Sequence, residues 1–252
     1  MPYREKRIYS GNILEVEIYP IGKIERNQNR KKKEKESKKK QKNINDKNAK
    51  KHLIRLLNIN FTDKDLAITL TYDKDNLPQS EEGARKDVAN YLRRVKTYRK
   101  RKGLDPLKYI AVIEYKEQEE NRKAVRIHHH IVISGMDRDA VEELWKKGRA
   151  NADRLKADEF GYEGLARYIT KDPQGNKRWS QSRNLKQPVI KINDYKYSRR
   201  KVYEIAKGQG NKETFESSYT DYLLNDYKVE VNDITAGIHL YIKMRKRINI
   251  KS

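Results

Sequence analysis

The segment AVRIHHHIVISG, residues 124–135, places three of the chain's five histidines in succession among β-branched residues. Isoleucine and valine at this density predict a β-strand, on which successive side chains point to opposite faces. His129 then shares its face with three isoleucines and is expected to be a structural residue of the core. His128 and His130 share the more polar face with Arg126. These two imidazoles point the same way, about 7 Å apart at the backbone, so they can converge on one metal ion.

The preceding predicted strand, LKYIAVIEY (107–115), carries a carboxylate close to its end, Glu114. The polar stretch EQEENRK that follows predicts the turn of an antiparallel hairpin. Glu114 lies opposite His128 if the turn is centred on residue 121, and opposite His130 if it is centred on residue 122. Side chains of opposed residues share a face, so either register brings the carboxylate to the two histidines. The sequence therefore predicts a metal site of Glu114, His128 and His130, with chance placement as the alternative.

Two imidazoles and one carboxylate leave coordination positions open, which is typical of a catalytic metal site. The same ligand set serves non-haem iron oxygenases, but such an enzyme has no reason to be strongly basic. The chain has no cysteine, so disulfides and cysteine metal sites are excluded. This composition suits a cytoplasmic protein.

The net charge of +23 predicts a polyanionic partner, because many Lys and Arg contacts release counterions from nucleic acid. Residues 30–42 hold nine basic and two acidic residues, and without their net charge of +7 the chain would still carry +16. Seventeen tyrosines offer candidate stacking surfaces for unpaired bases, although most are expected in the core or at its boundary. No apolar run reaches the roughly 18 residues of a membrane-spanning helix, and no membrane partner is expected.

The order of predicted elements favours an α+β fold, with a central, largely antiparallel sheet flanked by helices. Strands are predicted at NILEVEIYP, DLAITLTYD (65–73), 107–115, 125–134 and QPVIKIND. Helices are predicted at 49–61, after Ser80, after Asp137 as far as Gly148, and at 163–172. We expect three regions: an N-terminal strand with a basic low-complexity segment (1–60), a catalytic domain (61–205), and a C-terminal extension of uncertain structure (206–252). Residues 23–51 are predicted to be a flexible linker or insertion.

The predicted helix GLARYITKD carries a candidate nucleophile, Tyr168, with Lys171 three residues later on the same side. The alternative is a tyrosine that packs on a helix face, since the Tyr-x-x-Lys pattern recurs at Tyr3 and Lys6. Several basic residues near Tyr168 in sequence are predicted to contact DNA phosphates: Arg167, Lys177, Arg178, Arg183 and Lys186.

Three motifs in this order resemble the HUH endonucleases, specifically the single-tyrosine initiators of rolling-circle replication in phages, plasmids and small circular DNA viruses. AITLTYD, with Thr69 and Thr71, is similar to their first motif, RIHHHIVI to their His-hydrophobe-His motif, and YITK to their tyrosine motif. The resemblance covers residues 61–190. It departs from the family at His129, where the middle position is usually apolar.

The resemblance implies a metal-dependent nicking and rejoining reaction on single-stranded DNA at a replication origin. Mg²⁺ or Mn²⁺, bound by the three predicted ligands, would polarise the scissile phosphate, and Tyr168 would become linked to the 5′-phosphate. Thr69, Thr71 and Arg126 are assigned to DNA binding with the basic residues named above. The chain has no GxxxxGK[ST] motif, so a separate helicase and polymerase are expected. If the gene is carried by a phage, the protein is expected in the host cytoplasm.

Two alternatives remain at this point. A transposase or conjugative relaxase uses similar chemistry. A non-enzymatic nucleic-acid-binding protein would explain the charge and the tyrosines, but not the predicted pairing of Glu114 with the two histidines.

Overall fold

The computed structural model describes residues 2–22, 39–116, 125–171, 178–208, 212–231 and 237–247. Within these ranges the chain is an α+β protein with two five-stranded antiparallel sheets and six helices, which confirms the predicted fold class. The strands are β1 (Tyr3–Ser10), β2 (Ile13–Pro20), β3 (Leu66–Thr71), β4 (Tyr109–Lys116), β5 (Val125–Ile133), β6 (Ala150–Arg154), β7 (Ser180–Gln181), β8 (Val189–Tyr197), β9 (Tyr222–Val231) and β10 (Ile238–Lys246). The helices are α1 (Lys39–Asn60), α2 (Glu81–Arg101), α3 (Arg138–Glu143), α4 (Glu163–Ile169), α5 (Arg199–Lys207) and α6 (Lys212–Ser218).

The chain divides into two compact units. The first contains residues 1–59, 159–161 and 187–252, and the second contains residues 60–158 and 162–186. Residues 187–205, which the sequence assigned to the catalytic domain, lie in the first unit. None of the helices in the described ranges has the length and apolar character needed to cross a membrane.

The first unit is built on a sheet with the strand order β8-β1-β2-β10-β9. Only β2 and β8 of these five strands were predicted, and the last 50 residues contribute β9 and β10 to the sheet. One face packs a core of Val16, Ile18, Leu240 and Ile242 with residues of α5 and α6, including Val202 and Phe215. β2 pairs with β10, more than two hundred residues later, and such long-range pairing has no local sequence signature.

Helix α1 corrects the prediction of a flexible segment over 23–51, because residues 39–51 are helical. Leu53, Leu56 and Leu57, at the helical spacing that the sequence indicated, are fully buried and anchor the C-terminal half of the helix. Once such a nucleus is fixed, each further residue adds one hydrogen bond, so the polar N-terminal half can extend the same helix. Residues 23–38 lie outside the described ranges.

The second unit is built on a sheet with the strand order β6-β3-β5-β4-β7. The strands predicted at 65–73, 107–115 and 125–134 are confirmed as β3, β4 and β5, whereas β6 and β7 were not predicted. Helix α2 begins as predicted, with the Ser80 hydroxyl accepting a hydrogen bond from the Gly83 N–H. Its predicted apolar stripe is buried and packs against the sheet: Val88, Tyr91, Leu92 and Val95.

Helix α3 begins after Asp137 as predicted but ends at Glu143, before the predicted end at Gly148. The chain leaves the helix because residues 147–149 pair with the end of β3: Lys147 and Arg149 carbonyls accept hydrogen bonds from the Asp73 and Thr71 N–H groups. Gly148, with φ of +148°, allows this approach, since a Cβ atom there would lie 2.4 Å from the Thr71 carbonyl oxygen.

The two ends of the second unit are joined by one side chain. Asn60 donates from Nδ2 to the Lys186 carbonyl (2.9 Å) and accepts at Oδ1 from the Lys186 N–H (2.8 Å). Asn60 is itself buried, so both bonds are partly shielded from water. The first and last residues of the second unit are therefore held together by two hydrogen bonds.

Replacing Asn60 by Ala is expected to lower the free energy of unfolding by about 2 kcal/mol, because two partly buried hydrogen bonds are lost at about 1 kcal/mol each. Urea denaturation followed by circular dichroism measures this change. The matched control is Asn43→Ala, which makes the same substitution at an exposed position of the same helix. Equal stabilities of the two variants would show that the Asn60 bridge is energetically unimportant.

Candidate metal centre

The register of the β4–β5 pair decides which side chains meet. Glu114 lies opposite His128, and Val112 lies opposite His130. The first of the two predicted registers, with its centre at residue 121, is therefore the one that forms. The register shifts immediately after Glu114, at the end of the regular pairing. β3 pairs with the other edge of β5, placing Thr71 opposite His128 and Thr69 opposite His130.

Glu114, His128 and His130 come together on one face of this sheet. The Glu114 Oε2 atom lies 3.2 Å from His130 Nε2 and 3.5 Å from His128 Nε2. The two Nε2 atoms lie 3.2 Å apart, and the rings meet edge to face. All three potential ligand atoms lie within 4.8 Å of one another. These residues form a group that can hold a divalent metal ion.

Neighbouring polar atoms fix the orientation of both imidazoles. His128 Nδ1 lies 2.9 Å from the Arg126 carbonyl oxygen, which only accepts, so Nδ1 carries a proton and Nε2 is the nitrogen that can bind a metal ion. His130 Nδ1 lies 3.4 Å from the Thr69 hydroxyl, which can accept its proton in the same way. Hydrogen bonding of the distal ring nitrogen is the usual arrangement around histidine metal ligands.

The protonation state of His130 also suits a ligand. Burial lowers the pKa of His130, with the field of His128 acting in the same direction and Glu114 acting against both. A neutral imidazole offers the lone pair that metal binding requires. The two imidazole nitrogens and the Glu114 carboxylate oxygen converge on one point. This ligand set fits a divalent ion and leaves some of its coordination positions open.

His129 points away from this group into the core, as predicted from strand alternation. Its ring is fully buried, and its Nε2 atom is hydrogen bonded to the Tyr72 hydroxyl at 2.8 Å. Burial lowers the pKa of His129 to about 3, so its imidazole is neutral. Trp145 packs edge-on against the rings of both His129 and Tyr72. The sequence did not identify Tyr72 as the partner of His129, because that contact depends on the β3–β5 register.

Tyr168 lies beside Glu114, His128 and His130, which we call the metal-ligand group. Its ring contacts the ring of His130 edge-on, with the centroids 5.1 Å apart. The side chain belongs to α4, whose buried residues are Ala166 and Ile169, whereas 62% of the Tyr168 surface is exposed. This exposure argues against the alternative in which Tyr168 simply packs on a helix face. Lys171 follows α4 and is exposed, and its N–H donates to the Tyr168 carbonyl.

The side chains predicted to bind DNA are spread over the second unit. Thr69 and Thr71 lie on the face of the three ligands, and Thr71 donates its hydroxyl proton to the Arg149 carbonyl. Arg126 is exposed and donates to the Tyr72 carbonyl, while Arg167 is paired with Glu163 one helical turn earlier. Lys177 lies outside the described residues.

Arg178, Arg183 and Lys186 lie along the segment that contains β7. Ser182 pairs with Tyr109 at the far end of β4, five residues from Glu114, so Ser182 lies about 17 Å along the strand from that residue and Arg183 lies one residue farther. Lys186 lies farther along the chain, next to Asn60. The structure therefore does not bring Arg183 and Lys186 to the metal-ligand group.

The three motifs fall within one stretch that matches a known family. Residues 65–173 match the family Replication-associated protein ORF2/G2P. The matched stretch begins at the residue before β3 and contains the three candidate ligands and Tyr168. No curated protein and no solved structure gives a significant match to the chain.

Removal of either outer imidazole is expected to weaken metal binding. His128→Ala or His130→Ala should lower the affinity for Mn²⁺ by more than about 100-fold, since even loss of a supporting residue around a metal costs 10- to 100-fold. Isothermal titration calorimetry measures the affinity. Tyr168→Phe is the control, because it leaves all three ligands in place. Unchanged Mn²⁺ affinity in both histidine variants would contradict the assignment.

Substitution of His129 is expected to lower the stability of the protein rather than its affinity for Mn²⁺. His129→Ala should lower the free energy of unfolding by about 2–4 kcal/mol, because it leaves a cavity and removes a buried hydrogen bond to the Tyr72 hydroxyl. Chemical denaturation measures the loss, and Mn²⁺ affinity measured below the unfolding transition should stay close to that of the unmodified protein. Loss of Mn²⁺ binding by a folded His129→Ala variant would contradict the assignment of His129 to the core and of His128 and His130 to metal binding.

Proposed function

We propose that this protein is a metal-dependent endonuclease that nicks and rejoins single-stranded DNA through Tyr168, and that it initiates rolling-circle replication of a phage or plasmid. The observation that carries the proposal is the contact between the Tyr168 ring and the ring of His130, itself one of three convergent ligands. The match of this stretch to a replication-associated family and the net charge of +23 support a DNA substrate.

In the proposed reaction, Glu114, His128 and His130 hold Mg²⁺ or Mn²⁺. When bound, the ion supplies positive charge at an oxygen of the scissile phosphate and orients that group. Tyr168 gives its phenolic proton to solvent water and forms a bond from its oxygen to phosphorus. The bond from phosphorus to the 3′-oxygen breaks, and that oxygen takes up a proton to become a free 3′-hydroxyl.

The product is a 5′-phosphotyrosine linkage. Its formation exchanges one phosphate ester for another, so a 3′-hydroxyl can attack the same phosphorus and rejoin the strand. The exposure of Tyr168 is consistent with attack on an extended DNA strand. We assign to Lys171 the stabilisation of negative charge on the phenolate or the phosphate.

The substrate is proposed to be unpaired at the scissile phosphate, which accords with the resemblance of the three motifs to enzymes that act on single-stranded DNA and with the tyrosine-rich, basic composition of the chain. We therefore propose single-stranded DNA at a replication origin as the partner, with a separate helicase to open it and a polymerase to extend the 3′-hydroxyl. Thr71 and Arg126 lie at the same end of the sheet as the ligands, where they are suited to contact the strand.

A covalent protein–DNA adduct is the expected product with Mn²⁺ and either a fluorescent single-stranded oligonucleotide pool or a supercoiled origin plasmid. Tyr168→Phe should abolish the adduct, because the nucleophilic oxygen is absent. Denaturing gels measure adduct formation, and mass spectrometry of the conjugate identifies the modified residue. Tyr195→Phe is the matched control, since Tyr195 is 98% exposed and lies in the other unit.

An adduct that persists in Tyr168→Phe would show that another residue is the nucleophile. The absence of an adduct with every origin-bearing DNA, together with retained DNA affinity, would favour a non-enzymatic binding protein. Adduct formation on transposon ends or a transfer origin, rather than on a replication origin, would favour a transposase or relaxase.

A further inference from the structure

We propose that Trp179 forms a base-stacking subsite for single-stranded DNA on the same face of the sheet as the metal-ligand group. The inference rests on the proposed function for the identity of the DNA strand. It adds a binding residue that lies outside the matched family stretch, which ends at residue 173.

The position of Trp179 follows from strand pairing and one hydrogen bond. Gln181 of β7 lies opposite Ile110 of β4, so their side chains point to the same face. Ile110 shares its face with Val112 and Glu114, because alternate residues of a strand point the same way. The Trp179 indole N–H donates to the Gln181 side-chain oxygen at 2.7 Å, which holds the indole on this face too.

Trp179 is close enough to the metal-ligand group to contact the same DNA strand. It lies one residue before β7, and β4 separates β7 from β5, the strand that carries His130. Adjacent strands lie about 4.8 Å apart, so the backbones of Trp179 and His130 are about 10 Å apart across the sheet. That distance corresponds to roughly three stacked nucleotides of one DNA strand.

The chemistry of the side chain favours a nucleobase over other ligands. Trp179 is partly exposed, and its single hydrogen-bond donor is engaged by Gln181, so a ligand would be recognised through the ring face. Every base has a π-face, so such a contact tolerates any sequence. Arg178, immediately before it, provides a cation that suits the adjacent phosphate.

The two tryptophans of the chain have different environments. Trp145 is 3% exposed and packs against Tyr72, Tyr91 and His129 in the core. Trp179 instead lies on the face of the ligand group, the face to which the buried side chains Ile110 and Val112 of β4 also point. A purely structural role for Trp179 would be to cover these two apolar side chains. Substitution by Leu tests that role, because Leu can cover them but has no aromatic face.

The experiment uses tryptophan fluorescence of the full chain, titrated with an oligothymidylate of about 20 nucleotides in EDTA, so that no cleavage occurs. We expect quenching in the unmodified protein and no quenching in Trp179→Phe, whose remaining tryptophan is the buried Trp145. A blunt duplex should not quench. Fluorescence anisotropy of labelled oligothymidylate measures the affinity of each variant independently of its tryptophans.

Trp179→Phe should retain an affinity close to that of the unmodified protein, whereas Trp179→Leu should bind about 5- to 100-fold more weakly, which corresponds to the loss of one stacked base. Thermal unfolding verifies that both variants are folded. Equal affinities of the folded Leu and Phe variants, or saturable binding by the unmodified protein without quenching, would overturn the subsite.

The outcome for Trp179 can be separated from the outcome for the proposed function. If Tyr168 forms an adduct but Trp179 is not quenched, the nicking reaction stands and the stacking subsite is wrong. If Trp179 is quenched and the Leu variant binds weakly but no adduct forms, the subsite stands and the endonuclease proposal fails.

Discussion

The pairing of β4 with β5 in a single register is the constraint on which the rest of the second unit depends. In this register Glu114 faces His128, and Val112 faces His130. A slip of β5 by one residue would turn all its side chains to the opposite face of the sheet. His129 would then leave the core, and His128 and His130 would enter it. The buried isoleucines of β5 make such a slip costly, so the apolar core fixes the geometry of the polar group on the other face.

Three consecutive histidines thus have two different physical roles. His129 is hydrogen bonded through Nε2 to Tyr72 in the core, and Trp145, which packs on both, donates its indole N–H to the Thr71 carbonyl. The outer imidazoles are oriented by the Arg126 carbonyl and the Thr69 hydroxyl, which belong to β5 itself and to the neighbouring β3. Groups held in this way need little rearrangement to bind an ion, because their rotamers are restricted before it arrives.

Much of the second unit could be predicted from the sequence, because its signals are local. Alternating β-branched residues mark β3, β4 and β5, and Ser80 with the stripe from Val88 to Val95 marks α2. The sequence left two hairpin registers open, since EQEENRK supports a turn centred on either residue 121 or residue 122. It did not reveal β6, in which only Ala152 is buried, or β7, which has two residues.

The first unit was largely missed for a different physical reason. Its sheet joins strands from the two ends of the chain. β2 pairs with β10 because their apolar side chains are buried in the same core, although the two strands lie far apart in sequence. Similarly, the strand pairing that brings Tyr72 to His129 and Trp179 to the ligand face depends on neighbours that no short segment encodes. Candidate ligands were predictable because they lie on one hairpin, whereas Thr69, which orients His130, belongs to another strand, β3.

The bridge between Asn60 and Lys186 has a consequence for how the chain folds. The second unit lies in sequence between β1 and β2 on one side and β8 and β10 on the other, so the first sheet forms only when the long stretch between these strands is closed. In an unfolded second unit, this closure carries the entropic cost of a long flexible loop. A folded second unit whose ends already meet acts as a short, stiff connection, so its early folding would accelerate assembly of the sheet whose strands lie before and after it in sequence.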